Sequence, residues 1–205
     1  MPQPRMGMTH LNGHLMCAVD VETTGTRPGF HDLIQICVLP VDYKLDVWKE
    51  FIPFYTSLQL KRPENVDEEA NRKSLMKWSE AQLNGLEPYR AADLFDEWFQ
   101  KLNLAPGKRI VPLAHNWPFD RGFIIDWLGE ENFSQFFDGR YRDTMVAASF
   151  CNDRADFNIE PYPYAKINLE YLASTLKIPH ERAHDALGDC LTTLQVYKQM
   201  VSKFQ

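Results

Sequence analysis

The chain has 205 residues, 44% of them apolar and 13% aromatic, which is enough for one well-buried domain, too little for two comfortable ones, and too apolar for a disordered segment. Twenty-eight acids against 22 bases give a net charge of -6, which excludes the broad basic surface that attracts bulk nucleic acid but leaves room for a local contact with it. No apolar run approaches the roughly 18 residues that span a bilayer, residues 1–10 lack a signal-peptide core, and Cys17, Cys37, Cys151 and Cys190 are scattered without a Cys-x-x-Cys pair, so the expectation is a cytoplasmic protein with reduced thiols and no membrane partner.

Residues 1–12 contain Pro, Met and Gly without periodicity and read as a loose lead-in, leaving 13–205 as a single domain. The run His14-Leu15-Met16-Cys17-Ala18-Val19 predicts a central strand, and it leads into Asp20-Val21-Glu22-Thr23-Thr24-Gly25. Strand alternation sends the Asp20 and Glu22 side chains to the same face, two residues apart. Carboxylates that close repel unless a cation lies between them, and oxygen-only ligands suit a hard divalent ion such as magnesium or manganese. Alone, an Asp-x-Glu is more often a solvated strand end. Thr23 and Thr24 add hydroxyls, and Gly25 turns the chain away. Arg27-Pro28-Gly29 marks a turn, residues 33–39 a second strand stopped by Pro40, and residues 47–54 a third, an antiparallel meander opening a mixed sheet.

Residues 56–102 change character. The charged stretch 63–77 holds Asn71-Arg72-Lys73 and is followed by Trp78; it reads as a solvated helix with one packed Trp rather than as a phosphate and base contact. Pro88 suits the first position of a helix whose Leu94, Phe95, Trp98, Phe99 and Leu102 recur at helical spacing and form core. Residues 109–114 give a fourth strand ending in His115-Asn116-Trp117-Pro118-Phe119-Asp120, with a helix from Pro118 to Leu128. An acid in a first helical turn is ordinarily a dipole partner, and Trp117 either stacks on a base or packs beneath its loop. A short helix over 130–137, a brief strand over 140–143, a helix over 144–151, an irregular stretch with Pro161 and Pro163, and a helix capped by Asn168 follow. The last helix runs from Asp185 to Phe204 with Leu187, Leu191, Leu194, Tyr197 and Val201 as its buried stripe.

His184 and Asp189 are five residues apart, about 140° around a helix, so they cannot share its face. His184 fits on the loop that enters the helix, where the positive end of the dipole favours the neutral imidazole of a general base. Asp-x-Glu-Thr-Thr-Gly after a strand, His-Asn-x-x-Phe-Asp after a later one and His-x-Ala-Leu-x-Asp at the last helix resemble the DEDDh branch of the DnaQ-like 3′-5′ exonucleases, of the ribonuclease H-like superfamily. Arg142-Asp143-Thr144-Met145 and Leu169-x-x-Leu172-Ala173 also fit the family pattern, and the similarity covers nearly the whole chain. The resemblance implies an α/β fold with a mixed central sheet flanked by helices. It also implies that Asp20, Glu22, Asp120 and Asp189 hold two Mg2+ or Mn2+ ions, that His184 takes a proton from the attacking water, and that Thr23, Thr24, His115, Asn116 and Phe119 hold the terminal nucleotide. The implied substrate is a nucleic acid 3′ end, DNA before RNA, with a replication complex as a wider partner; an exoribonuclease and a non-catalytic nucleic-acid-binding or polymerase-accessory module are the alternatives. His180 and Asp185 repeat the same spacing, but Ala186 and Leu187 match the family interior and favour His184 with Asp189, which leaves His180 without a role.

Overall fold

The computed structural model describes residues 8–202. One mixed sheet carries the strands in the order β3-β2-β1-β4-β5, with β1 at Leu15–Thr23, β2 at Leu33–Pro40, β3 at Phe54–Ser57, β4 at Ile110–Ala114 and β5 at Arg142–Asp143. The first three form the expected antiparallel meander, and β4 and β5 run parallel to β1. Between β3 and β4 lie α1 (Glu68–Lys73), α2 (Trp78–Asn84) and α3 (Pro88–Lys101). Between β4 and β5 lie α4 (Trp117–Leu128) and α5 (Glu130–Phe136), and α6 (Thr144–Phe157), α7 (Leu169–Leu176) and α8 (Ala186–Ser202) follow β5.

Strand alternation sorts the core into two layers. Leu15, Cys17, Val19 and Val21 pack toward α3 and α4, where Phe95, fully buried, meets Phe54, Phe136 and Phe137 at ring distances of 5.0, 5.1 and 5.9 Å. Trp117 joins this layer against Phe133 and Phe137 and is 3% exposed, so of its two readings packing holds. Met16 and Ala18 face the other way, onto Ala186, Cys190 and Leu194 of α8. Asp20 and Glu22 continue that second register, which directs them to the α8 side of the sheet.

Several expectations shift. The third strand starts only at Phe54: Val47 makes an isolated bridge to Val41, Trp48 and Phe51 fold edge-on at 4.9 Å, and Pro53 has no amide proton for a ladder. Residues 9–11 form one 3-10 turn that buries Leu11, so this end of the lead-in is packed; residues 1–7 and Phe204 lie outside the described residues. Helix α6 runs on to Phe157. On α8, Leu191 and Val201 are 40% and 45% exposed, while Gly188, Asp189, Thr192 and Thr193 are buried with Cys190, Leu194, Val196 and Met200. That helix is covered by the sheet on one side and by α6 and α7 on the other; Thr192 is satisfied within it by the Gly188 carbonyl, and Asp189 by His180 from the preceding loop. Leucine spacing therefore finds Leu187, Leu194 and Tyr197 and misplaces Leu191 and Val201.

Candidate active site

The pairing of β1 with β4 ends at Ala18 and Leu113, yet β1 continues to Thr23. Beyond that point the start of α4 takes the place of a strand, and the Val21 amide donates to Asp120 Oδ1 at 3.1 Å. Asp120, 2% exposed, is thereby drawn to the same strand end as Asp20 and Glu22. Asp143 fixes the neighbouring helix starts together, accepting from the Asn116 and Trp117 amides at 3.1 and 2.8 Å and from Met145 at 2.8 Å. The Asp-Thr pair at 143–144 is thus a double cap, and Thr144 Oγ1 also meets His115 Nδ1 at 2.8 Å.

A cavity of about 360 Å³ opens at this strand end. Asp20, Glu22, Thr23, Gly25, Phe119, His184 and Asp189 line it, and Asp67, Glu69, Ala70, Lys73 and Ser74 of the α1 segment wall it on one side. Ligand atoms of Glu22, His184 and Asp189 lie within 4.8 Å of one another. Burial raises the Asp20 carboxyl well above the ordinary carboxylate range, reinforced by the charges of Asp120, Asp189 and Glu22. Burial likewise raises Glu22, to about 8, with Asp189 adding to the rise and the buried Ser74 hydroxyl opposing it. Asp120 is raised chiefly by burial, against the Val21 amide that favours its anion. Such a set of converging oxygens is strained as bare anions and relieved by divalent cations, so the donors fit hard metal ions.

His184 stands on the loop before α8 with φ 61, in the left-handed region, and its carbonyl accepts from the Leu75 amide at 2.8 Å. Holding a histidine there costs about 1–3 kcal/mol, which the contacts on either side must offset. Gly188 is required by close approach: a Cβ would lie 2.3 Å from the Arg182 carbonyl oxygen, which brings the 180–185 loop down onto the helix. Gly25 lies in the bend where the chain leaves β1, as expected, and is also required by space, since a Cβ there would fall 2.5 Å from the His31 ring.

Two expectations about residues change. Thr24 is 2% exposed, its hydroxyl accepting from the Asp32 amide and donating to the Asn65 carbonyl, so it pins the turn and does not line the cavity. His115 and Asn116 also lie outside the lining, His115 turned onto Thr144 with its imidazole held below the usual value by burial. His180 is no bystander: its Nε2 lies 2.6 Å from Asp189 Oδ1, both side chains largely buried. Asp185 faces away from the cavity toward Tyr55 and Arg182, which makes His184 and Asp189 the pair that meets there. The α1 wall was missed because a charged six-residue helix reads as solvated surface; its cap, Asp67, is tied to the acidic strand end by its amide on the Thr24 carbonyl.

The profile of the RNase_T exonuclease family matches residues 17–197. The chain belongs to that family. It is a DnaQ-like exonuclease chain of the ribonuclease H-like superfamily, the family its motifs resemble. Among solved structures it is similar to zinc-bound Escherichia coli exonuclease I with single-stranded DNA (20% identity, TM-score 0.67, covering 94% of this chain and 41% of that one). It is likewise similar to exonuclease I of Methylocaldum szegediense (21%, TM-score 0.69, 94% and 41%) and to cell-death related nuclease 4 (16%, TM-score 0.69, 93% and 64%). This RNase_T chain therefore spans about two fifths of the exonuclease I chains. No curated protein matches the sequence.

Proposed function

We propose that residues 13–205 form a single exonuclease domain that removes nucleotides from the 3′ end of single-stranded DNA. The observation that carries the reading is the meeting of Glu22, Asp189 and His184 within 4.8 Å, in a cavity that Asp20 also lines. Asp20, Glu22, Asp120 and Asp189 hold two divalent ions, Mg2+ or Mn2+, and His184 takes the proton of the attacking water. Bound ions of this kind supply a hydroxide at neutral pH and stabilise the departing oxygen. The chain's own residues do the rest. His184, exposed on its loop, can approach and leave the reacting water, while the buried carboxylates stay fixed. Thr23 and Phe119 hold the last nucleotide from the cavity wall, with His115 and Asn116 at the adjoining strand end. Lys73 is the only lysine or arginine lining the cavity among the described residues, so most neutralisation of the phosphate falls to the metal ions.

The deciding experiment incubates 5′-labelled single-stranded DNA and RNA side by side with Mg2+, Mn2+ or a chelator, with free and blocked 3′ ends. The expected result is stepwise shortening from the free 3′ end, faster on DNA, and none with chelator. Internal cutting of the blocked strand, or label released first as a 5′ mononucleotide, would overturn the direction; faster loss of RNA would make the chain an exoribonuclease. Pull-down of replication proteins tests the wider partnership.

A further inference from the structure

Strand β2 is buried at all eight positions, and Gln35 is its one side chain with an amide, 1% exposed among Leu, Ile, Cys, Val and Pro. Burying an amide costs unless both ends are bonded. Here both are. The Ala186 amide, which can only donate, is 2.9 Å from Gln35 Oε1, and this fixes the orientation of the group. Gln35 Nε2 then donates to the Tyr55 hydroxyl at 3.1 Å, and that hydroxyl donates in turn to Asp185 Oδ2 at 2.7 Å. Asp185 Oδ1 accepts from the Gly188 amide at 3.0 Å, the bond of a helix cap, and Arg182 reaches Oδ2 at 2.9 Å.

Donation runs from the Ala186 amide to Gln35 of β2, from Gln35 to Tyr55 of β3, and from Tyr55 to Asp185, the residue between His184 and the first turn of α8. We propose that Gln35, Tyr55 and Asp185 form a positioning unit that sets His184 and Asp189 against the cavity. The unit rests on the reading of His184 as the base. Two features say why it is needed: His184 sits in a backbone region that a histidine leaves readily, and its other backbone ties are to the Leu75 amide of the α1 segment and, at 3.3 Å, to Asp189 Oδ2. Without the Tyr55 bond the start of α8 keeps its cap and its Ala186–Gln35 bond, but Asp185 loses its tie to β3, and a shift of about 1 Å at a reacting group costs on the order of 10²-fold.

The test is Tyr55→Phe, alone and combined with His184→Ala, in the full chain. The ring remains, so the fold should remain, and thermal melting checks it. Tyr55→Phe is expected to lower kcat roughly 10- to 100-fold with KM within about twofold, and to add nothing in the His184→Ala background, because the unit acts through the histidine. Mn2+ affinity, read by calorimetry without substrate, should weaken only severalfold as Asp189 loses its fixed turn. If Tyr55→Phe lowers kcat equally in both backgrounds, or raises KM alone, the unit does not position the base and the proposal falls while the base assignment stands. If His184→Ala keeps full activity, the base assignment falls and the proposal with it.

Discussion

His184 and His180 both belong to the site but act on different atoms, and their variants should separate. If His184 is the base as proposed, His184→Ala should lower kcat by roughly 10²–10⁴-fold with metal affinity largely kept. His180→Ala removes the partner of Asp189 Oδ1, and loss of such a partner behind a ligating carboxylate typically costs about 10–100-fold in metal affinity or activity. Calorimetric titration with Mn2+ beside steady-state kinetics distinguishes them; weaker metal binding in His184→Ala with none in His180→Ala would reverse the assignment. Titration of the acids gives a second expectation. Glu22 is raised from 4.5 to about 8 and Asp20 is raised as well, so across that window the folded metal-free protein binds more protons than the unfolded chain. Stability then falls as pH rises from about 4.5 toward 8, and divalent ions recover it most at the alkaline end. Asp20→Asn should flatten the fall, raise the metal-free Tm by roughly 2–4 °C per kcal/mol of repulsion relieved, and abolish cleavage. A metal-free Tm that climbs with pH would refute the repulsion. The acids were legible in the sequence because they sit at fixed offsets from strand and helix starts; Tyr55 and Gln35 were not, because Tyr55 meets Asp185 across 130 residues and Gln35 meets Ala186 across 151.

At the scale of elements, the meander, the aromatic stripe of α3 and the existence of the two later strands follow from periodicity and from prolines, while their parallel direction is a finding of the structure. The third strand, the α1 wall and the buried face of α8 do not. Each of these is set by tertiary contact: Pro53 delays pairing, Asp67 ties α1 to the acidic strand end, and α8 is covered on two sides so that Gly, Asp, Cys and Thr are buried. Gly188 belongs to this group. Alanine is the better helix former by about 1 kcal/mol, so an isolated helix would gain from Gly188→Ala. Here the added methyl would meet the Arg182 carbonyl and carbon at 2.3 and 3.0 Å, and backbone must move. Gly188→Ala is expected to lower Tm and to cut kcat by at least about tenfold, since the displaced loop carries His184. A variant as stable and active as the parent would mean that the loop is free to lift.

For the whole molecule, a net charge of -6 and a cavity whose lining offers one lysine leave little to hold a long polyanion apart from metal ions. Release after few cuts follows, and activity should drop steeply with salt. A frayed or mismatched 3′ terminus should be shortened faster than a paired one, because each paired step costs the unpairing of a base. A duplex labelled at its 5′ end, with and without a terminal mismatch and with a trap strand added after the first turnovers, reads both effects; long uninterrupted runs in the presence of the trap would contradict them. No helix among the described residues is long and apolar enough to cross a membrane.

Beneath the acids lies a layer of sulfur. Cys17, Cys37 and Cys190 have no exposed surface, Cys37 pairs with Asp20 across β1 and β2, and burial pushes the Cys17 and Cys190 thiols well up. A thiol reagent can reach Cys37 and Cys190 only when the sheet parts from α8, and Cys17 only when it parts from α3 and α4, whereas Cys151 is half-buried. Cys37 and Cys190 therefore act as a clock for the opening of the floor beneath the cavity, without any introduced label. With a chromogenic disulfide reagent, one thiol should react early and three late, and Mg2+ or Mn2+ should slow Cys37 and Cys190 in the late phase, since ions bound above that floor would hold it shut.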